Sequence, residues 1–209
     1  MFKSTIFRLG PMKAFGVIVV FAILMVPGCT NPPPVEGVDA QEEFSPPERL
    51  NLVADTAGRS VDRGETMDIL DDAAGQSTLI LWVSTGCSGC HDWTEVIADE
   101  MRSGNISNDT RIVTIHRYPS FESRSEVIET YASENSSTES LWPVLLTYDG
   151  QPAIDVDKGQ ETEYDFAKAF ETPATPSFTI LDGDGNTIWK NKDYWADKSV
   201  LSEALENLE

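Results

Sequence analysis

Histidine and cysteine are scarce in this 209-residue chain, with two of the first and three of the second, and acids outnumber bases 35 to 15. Two cysteines with His91 and a distant His116 make an incomplete and poorly spaced set for a structural zinc site, which argues against one. The shortage of positive charge, a formal net of -20, argues against a polyanion-binding role, because such a field repels nucleic-acid phosphates and anionic headgroups. Long apolar runs are lacking too. One continuous stretch lies near the N-terminus, so a polytopic membrane protein is excluded. No internal repeat is visible, and a chain of this length accommodates one globular unit plus ancillary segments.

What is present begins with that apolar stretch. Lys3, Arg8 and Lys13 precede Ala14 to Val26, and Pro27-Gly28-Cys29 follows, the order of an export signal. Val26-Pro27-Gly28-Cys29 resembles a bacterial lipobox, which implies a signal peptide over 1–28 and lipidation of Cys29. The run is short against the roughly 20 residues that span a bilayer. The bases favour the cytoplasmic side, so the rest is expected outside the cytoplasm, held to the membrane by its lipid. Pro32-Pro33-Pro34 and Pro46-Pro47 among acidic and small residues mark 29–50 as an extended tether, leaving 51–209 for the domain.

Thr78 to Ser84 is an apolar run of strand length, as expected of a central strand buried on both faces. Trp93, Val96, Ile97 and Met101 then recur at the spacing of one helical face, which Ser103-Gly104-Asn105 ends. Arg111 to Tyr118 reads as a second strand, Val127, Ile128 and Tyr131 as a short helical face, and Pro143 to Tyr148 as another strand. Glu161 to Glu171 carries a loosely helical pattern that Thr172-Pro173 breaks. Ser177 to Leu181 and Thr187 to Lys190 flank an Asp-Gly-Asp-Gly-Asn turn and predict a hairpin, and a last helix starts near Asp197 with Val200, Leu201, Leu205 and Leu208 on one face. Residues 51–76 suggest a hairpin leading to a short helix around Met67 to Ala74. Alternating strands and helices predict an α/β sandwich on a mixed sheet.

With Cys29 assigned to lipid, two cysteines remain, in Cys87-Ser88-Gly89-Cys90, where the apolar strand meets the helix. The unpaired N–H groups of a helix N-terminus stabilise a thiolate on the first cysteine, so Cys87 is the expected nucleophile and Cys90 the resolving thiol. His91 is expected half-exposed in the first turn, where it could tune the thiols. Cys87 to His91 also satisfies CxxCH, the c-type haem signature, with Met101 or His116 as a second axial ligand. A third reading makes the disulfide inert and the protein a non-catalytic binding module. Asp182, Asp184 and Asn186 suggest the start of a calcium loop, but Thr187 stands where the sharp-turn glycine belongs and no glutamate closes it. Trp82 and Trp93 are assigned to the core.

Gly86-Cys87-Ser88-Gly89-Cys90 after its strand, Ala174-Thr175-Pro176-Ser177-Phe178 with its hairpin, and the β-α insertion ending in Trp142-Pro143-Val144-Leu145-Leu146 together resemble the thioredoxin superfamily, within it the exported TlpA and ResA type. The resemblance covers roughly 51–208. It implies a thioredoxin-like fold, a central mixed sheet flanked by helices with the insertion between the CxxC and a cis-proline loop. It further implies thiol-disulfide exchange on protein substrates without a dissociable cofactor, with Pro176 cis beside Cys87 and the Thr175 backbone pairing to an extended substrate segment. Electrons in such relatives arrive from a membrane thiol transporter. Two departures stand out: Gly86 replaces the family's frequent aromatic residue, and apolar residues, Leu81 among them, replace the buried acid of the strand below, so the proton-transfer group for Cys90 is unassigned.

Overall fold

The structure is a computed structural model that describes residues 44–134 and 136–208. The expected signal peptide, Cys29 and most of the expected tether therefore lie outside the described residues. From Phe44 onward the chain is one compact unit, and Leu50, at the end of the segment read as tether, is already buried in a strand.

In chain order the elements are β1 (Leu50–Asn51), β2 (Val53–Thr56), β3 (Thr66–Asp68), α1 (Ile69–Ala73), β4 (Thr78–Val83), α2 (Ser88–Arg102), β5 (Ile112–His116), α3 (Arg124–Tyr131), β6 (Val144–Leu146), β7 (Pro152–Asp155), β8 (Gln160–Asp165), α4 (Phe166–Ala169), β9 (Ser177–Leu181), β10 (Thr187–Asn191) and α5 (Lys198–Glu206). Seven strands form the main sheet in the order β10-β9-β4-β5-β6-β2-β3, and β1, β7 and β8 form a second, three-stranded one. The main sheet is mixed: β4 runs parallel to β5 and antiparallel to β9.

Every residue of β4 is buried, which explains why its sequence is a continuous apolar run rather than an alternating one. Strand side chains alternate between faces. Leu79, Leu81 and Val83 pack on one face with Trp93, Ile97 and Met101 of α2 and Leu201 and Ala204 of α5. Ile80 and Trp82 face the other way, among Ile69, Leu52, Phe166 and Phe170. Each such large side chain stabilises the fold by roughly 1.5–3 kcal/mol on burial. Trp82 and Trp93 are fully buried, and their indole N–H groups donate to Thr179 Oγ1 at 3.0 Å and Asp193 O at 2.8 Å.

The helical reading of Glu161 to Glu171 is corrected. Residues 160–165 form β8, which pairs with β7, and the helix is confined to Phe166–Ala169. The exposed face of this two-sided ribbon is polar, so apolar periodicity is weak there; Phe166, Ala167, Ala169 and Phe170 are buried in the core, and Tyr164 of β8 packs against it. The hairpin expected between Ser177 and Lys190 is present. Asp182 accepts the N–H groups of Asp184 and Asn186 at 2.9 Å and the Asn186 amide at 2.8 Å, an ordinary side-chain-closed turn. Burial pushes the Asp182 carboxyl up, but these hydrogen bonds outweigh it and hold the group below its usual value.

Candidate active site

β4 ends at Val83, and Ser84 to Gly86 carry the chain to Cys87, which has extended dihedrals and serves as the N-cap of α2. Cysteine takes the role normally given to Ser, Thr or Asp: its Sγ accepts the N–H of Cys90 at 3.1 Å. Cys87 and Cys90 form a disulfide with their Cα atoms 5.2 Å apart. Cys87 is 7% exposed and Cys90 fully buried, so an incoming group reaches Cys87 first. Gly89, between them, lies against the carbonyl and ring of Tyr194, and a Cβ at this position would collide with both.

The β4–β9 register sets Ser177 opposite Trp82, and Thr175 Oγ1 lies 3.5 Å from Ser84 Oγ. The Thr175-Pro176 peptide is cis. This loop thus stands at the same end of the sheet as the disulfide, although 85 residues separate Cys90 from Thr175. Arg117 Nε donates to Pro173 O at 3.1 Å, and Ser177 Oγ to Ala174 O at 2.7 Å, which holds the approach to the cis peptide.

His91 is half-buried in the first turn of α2. Its Nε2 donates to the carbonyl of Thr85 at 2.8 Å, and its ring meets the edge of Tyr131 at a centroid distance of 5.8 Å. Tyr131 in turn donates to Ser84 O at 2.6 Å, and burial, with the charge of Glu122 in second place, pushes its hydroxyl well above the usual phenol value.

Sequence reasoning missed Glu122. One oxygen of its carboxylate accepts the N–H of Thr85 at 2.9 Å, and the other accepts from His116 Nε2 at 3.1 Å. The Thr85 peptide is therefore clamped on both sides, by Glu122 at its N–H and by His91 at its carbonyl. His116 is fully buried and its Nδ1 has no hydrogen-bond partner. Burial holds the imidazole below its ordinary value, while Glu122 pulls the other way. A lone Glu in a loop carries no local signal; the clamp exists because β4 and β5 are neighbours with Val83 opposite His116.

The residues named for haem do not fit that group. Cys87 and Cys90 are bonded to each other, His91 is turned onto Thr85 O, Met101 is packed in the core at the far end of α2, and His116 is paired to Glu122. Among the described residues no group of three or more His, Cys, Asp and Glu side chains is placed to hold a metal ion. Nor, among them, is any helix long and apolar enough to cross a membrane.

No protein-family model and no curated protein matches the chain. Solved structures do. The thioredoxin domain of a thiol-disulfide oxidoreductase from Bacteroides vulgatus superposes with a TM-score of 0.50 at 14% identity, over 80% of this chain and 100% of that one. A thioredoxin-family thiol:disulfide interchange protein from Chlorobium tepidum gives 0.50 at 11% identity, over 79% and 98%. A hypothetical protein from Sinorhizobium meliloti gives 0.52 at 16%, over 79% and 85%. The fold is thioredoxin-like.

Proposed function

We propose that this chain is an extracytoplasmic thiol-disulfide oxidoreductase acting on protein thiols or disulfides through Cys87 and Cys90. The observation that carries the reading is the disulfide at the junction of β4 and α2, with its outer sulfur on the helix N-cap and the cis Thr175-Pro176 loop at the same sheet end. In the reduced protein the Cys90 N–H and the partial positive charge of the helix N-terminus favour a thiolate at Cys87. That thiolate attacks a substrate disulfide: the substrate S–S bond breaks, a mixed disulfide forms, and one substrate thiolate leaves and takes a proton. Cys90, losing its proton, attacks Cys87 Sγ, releases the second substrate thiol and closes the pair, so two electrons and two protons pass to the substrate. Run in reverse, the same steps oxidise a dithiol. The strand-cysteine-helix order is what exchange needs, since the resolving sulfur sits one turn behind the attacked one. We assign Thr175 and Pro176 to the substrate-facing loop and His91 to holding the peptide before Cys87.

The basic, apolar and Cys29-terminated N-terminal order supports export and lipid anchoring, and a membrane thiol transporter is the electron donor in keeping with that location. The test is an intact-mass redox titration of the full chain in detergent, alkylated across a series of thiol buffers. A reversible two-electron step at Cys87 and Cys90 is expected, lost in Cys87→Ser, whereas Cys90→Ser accumulates mixed disulfides. A pair that never titrates would make the protein a binding module with an inert disulfide, and a Cys87→Ser protein that still exchanges at the normal rate would remove Cys87 from its role.

A further inference from the structure

In a chain whose acids outnumber its bases 35 to 15, guanidinium groups that lack an acid partner call for a reason. Arg49, Arg59, Arg102 and Arg124 each lie 2.8–3.0 Å from a carboxylate oxygen. Arg63 and Arg111 have no ion-pair partner among the described residues, and both line one cavity of about 180 Å³. It lies where β5 and β6 begin, under the connection from β2 to β3. The length of β5, about 17 Å at roughly 3.3 Å per residue, separates it from the end of the sheet that carries Cys87.

The acids close to these two arginines are committed elsewhere. Asp62 is fully buried, and its oxygens accept from Arg59 at 2.8 and 3.1 Å and from the Val144 N–H at 3.1 Å. Asp72 accepts the Asp68 N–H at 3.0 Å, and Asp109 lines a wider neighbouring cavity. Arg59 also donates to Ser140 O at 2.7 Å and Trp142 O at 2.8 Å, so the turn that carries Arg63 is fixed against the start of β6 before anything binds. Arg63 itself has a left-handed backbone, φ 63°, which glycine adopts with less strain, so the turn alone gives no reason for an arginine. Arg111 is half-buried, and only its Nε meets the protein, 3.5 Å from Thr78 Oγ1. Burial, and after it the charge of Arg63, hold the Arg111 guanidinium below its ordinary value, while Asp72 pulls the other way. A guanidinium stays charged near neutral pH all the same, so two like charges share the cavity.

We infer that Arg63 and Arg111 form a binding site for a dianionic tetrahedral oxyanion, phosphate or sulfate, free or at the end of an ester. Two guanidiniums match two negative charges, and their planar forks meet such oxygens in pairs. Ser60, Asn108 and Thr110 add side-chain donors to the walls, which include no carboxylate. Met67 and Trp142, both buried, close an apolar side, where a lower dielectric strengthens the attraction. Volume decides against larger ligands: drug-sized ones occupy about 300–1,000 Å³, whereas a small ion and a few waters of roughly 30 Å³ each fill this cavity. The net negative charge of the chain does not forbid the site, because exposed charges beyond about 8 Å are largely screened at physiological salt. At a strand's length from the disulfide, the site is independent of thiol exchange.

The test is equilibrium dialysis of the full chain in detergent against radiolabelled phosphate at constant ionic strength, with sulfate, acetate and glycerol phosphate as competitors. One phosphate per chain should bind saturably, sulfate should displace it, and acetate, with a single charge, should compete about tenfold less well or worse. Arg63→Gly, which relaxes the backbone at an exposed position, and Arg111→Gln should each weaken binding about tenfold or more. Phosphate should raise the urea midpoint of the wild-type chain and leave that of Arg63→Gly where it was. Displacement by glycerol phosphate would place the phosphate of an ester in the site, and failure to displace would restrict it to the free ion; either supports the proposal. Uptake that never saturates, or equal binding by Arg63→Gly, would overturn it, and acetate competing as well as sulfate would refute the dianion. Should Arg111→Gln fail to fold, Arg63→Gly decides alone.

Discussion

Removing the Glu122 carboxylate should loosen the segment that carries Cys87, and the size of the effect follows from what the carboxylate holds. It accepts the Thr85 N–H at 2.9 Å and the His116 Nε2 proton at 3.1 Å. Hydrogen bonds to charged groups contribute about 1.5–3 kcal/mol each, and a buried donor left without a partner costs about 1–3 kcal/mol. Thr85 is partly exposed and water replaces some of its loss, but His116 is buried with Nδ1 already unpartnered, so Glu122→Ala leaves the imidazole with nothing. A destabilisation of about 2–4 kcal/mol is expected, and about half of that for Glu122→Gln, whose amide oxygen keeps the Thr85 bond. The assay is urea unfolding of the oxidised protein at pH 7, followed by near-UV circular dichroism. The same variants bear on pH dependence. Burial depresses the native His116 value below that of the unfolded chain, about 6.5, so between the two the unfolded state binds more protons. Stability is therefore complete above that unfolded value and declines as pH falls through the window. Losing Glu122 removes the attraction that raises the native value, and the decline should extend to lower pH. A Glu122→Ala protein within about 0.5 kcal/mol of wild type would refute the clamp.

Two further substitutions probe the packing around the site. Gly89→Ala drives a methyl group into the Tyr194 carbonyl and ring, an overpacking that should cost about 1–3 kcal/mol and displace the Tyr194-Trp195 pair, read as a lowered melting midpoint and a changed tryptophan emission. Thr179→Val keeps the shape but removes the acceptor of the buried Trp82 indole N–H, so about 1–3 kcal/mol of stability should be lost in urea with little change in thiol exchange; an unchanged midpoint would mean that the indole finds another partner.

The parts of this protein that were legible in its sequence are those whose physics is local. A buried, mainly apolar strand, a CxxC at its end and a helix with one apolar face are contiguous, and each is specified by neighbours a few residues away: Thr78–Val83, Cys87 as cap, Ser88–Arg102. The last hairpin and helix were legible for the same reason, through the Asp182 turn and the Asp197 cap, whose carboxylate accepts the Ser199 N–H at 2.8 Å. Residues 160–165 were misread because a polar ribbon leaves no periodic apolar signal, and its partner strand, not its own pattern, makes it a strand. β1 and the three-stranded sheet went unread because a two-residue strand is too short to show a period.

The tertiary structure alone decided the surroundings of the disulfide. Thr175 meets Ser84, Glu122 meets Thr85 and Tyr194 meets Gly89 across separations of 91, 37 and 105 residues. Nothing in the composition of those loops announces a meeting, because the contacts follow from strand order: β4 between β5 and β9 brings the ends of both neighbours to the N-terminus of α2. Residue type and spacing determined the Cys87-Cys90 pair and its place on a helix cap. The side chains that clamp and surround that pair were chosen by the path of the chain through the sheet.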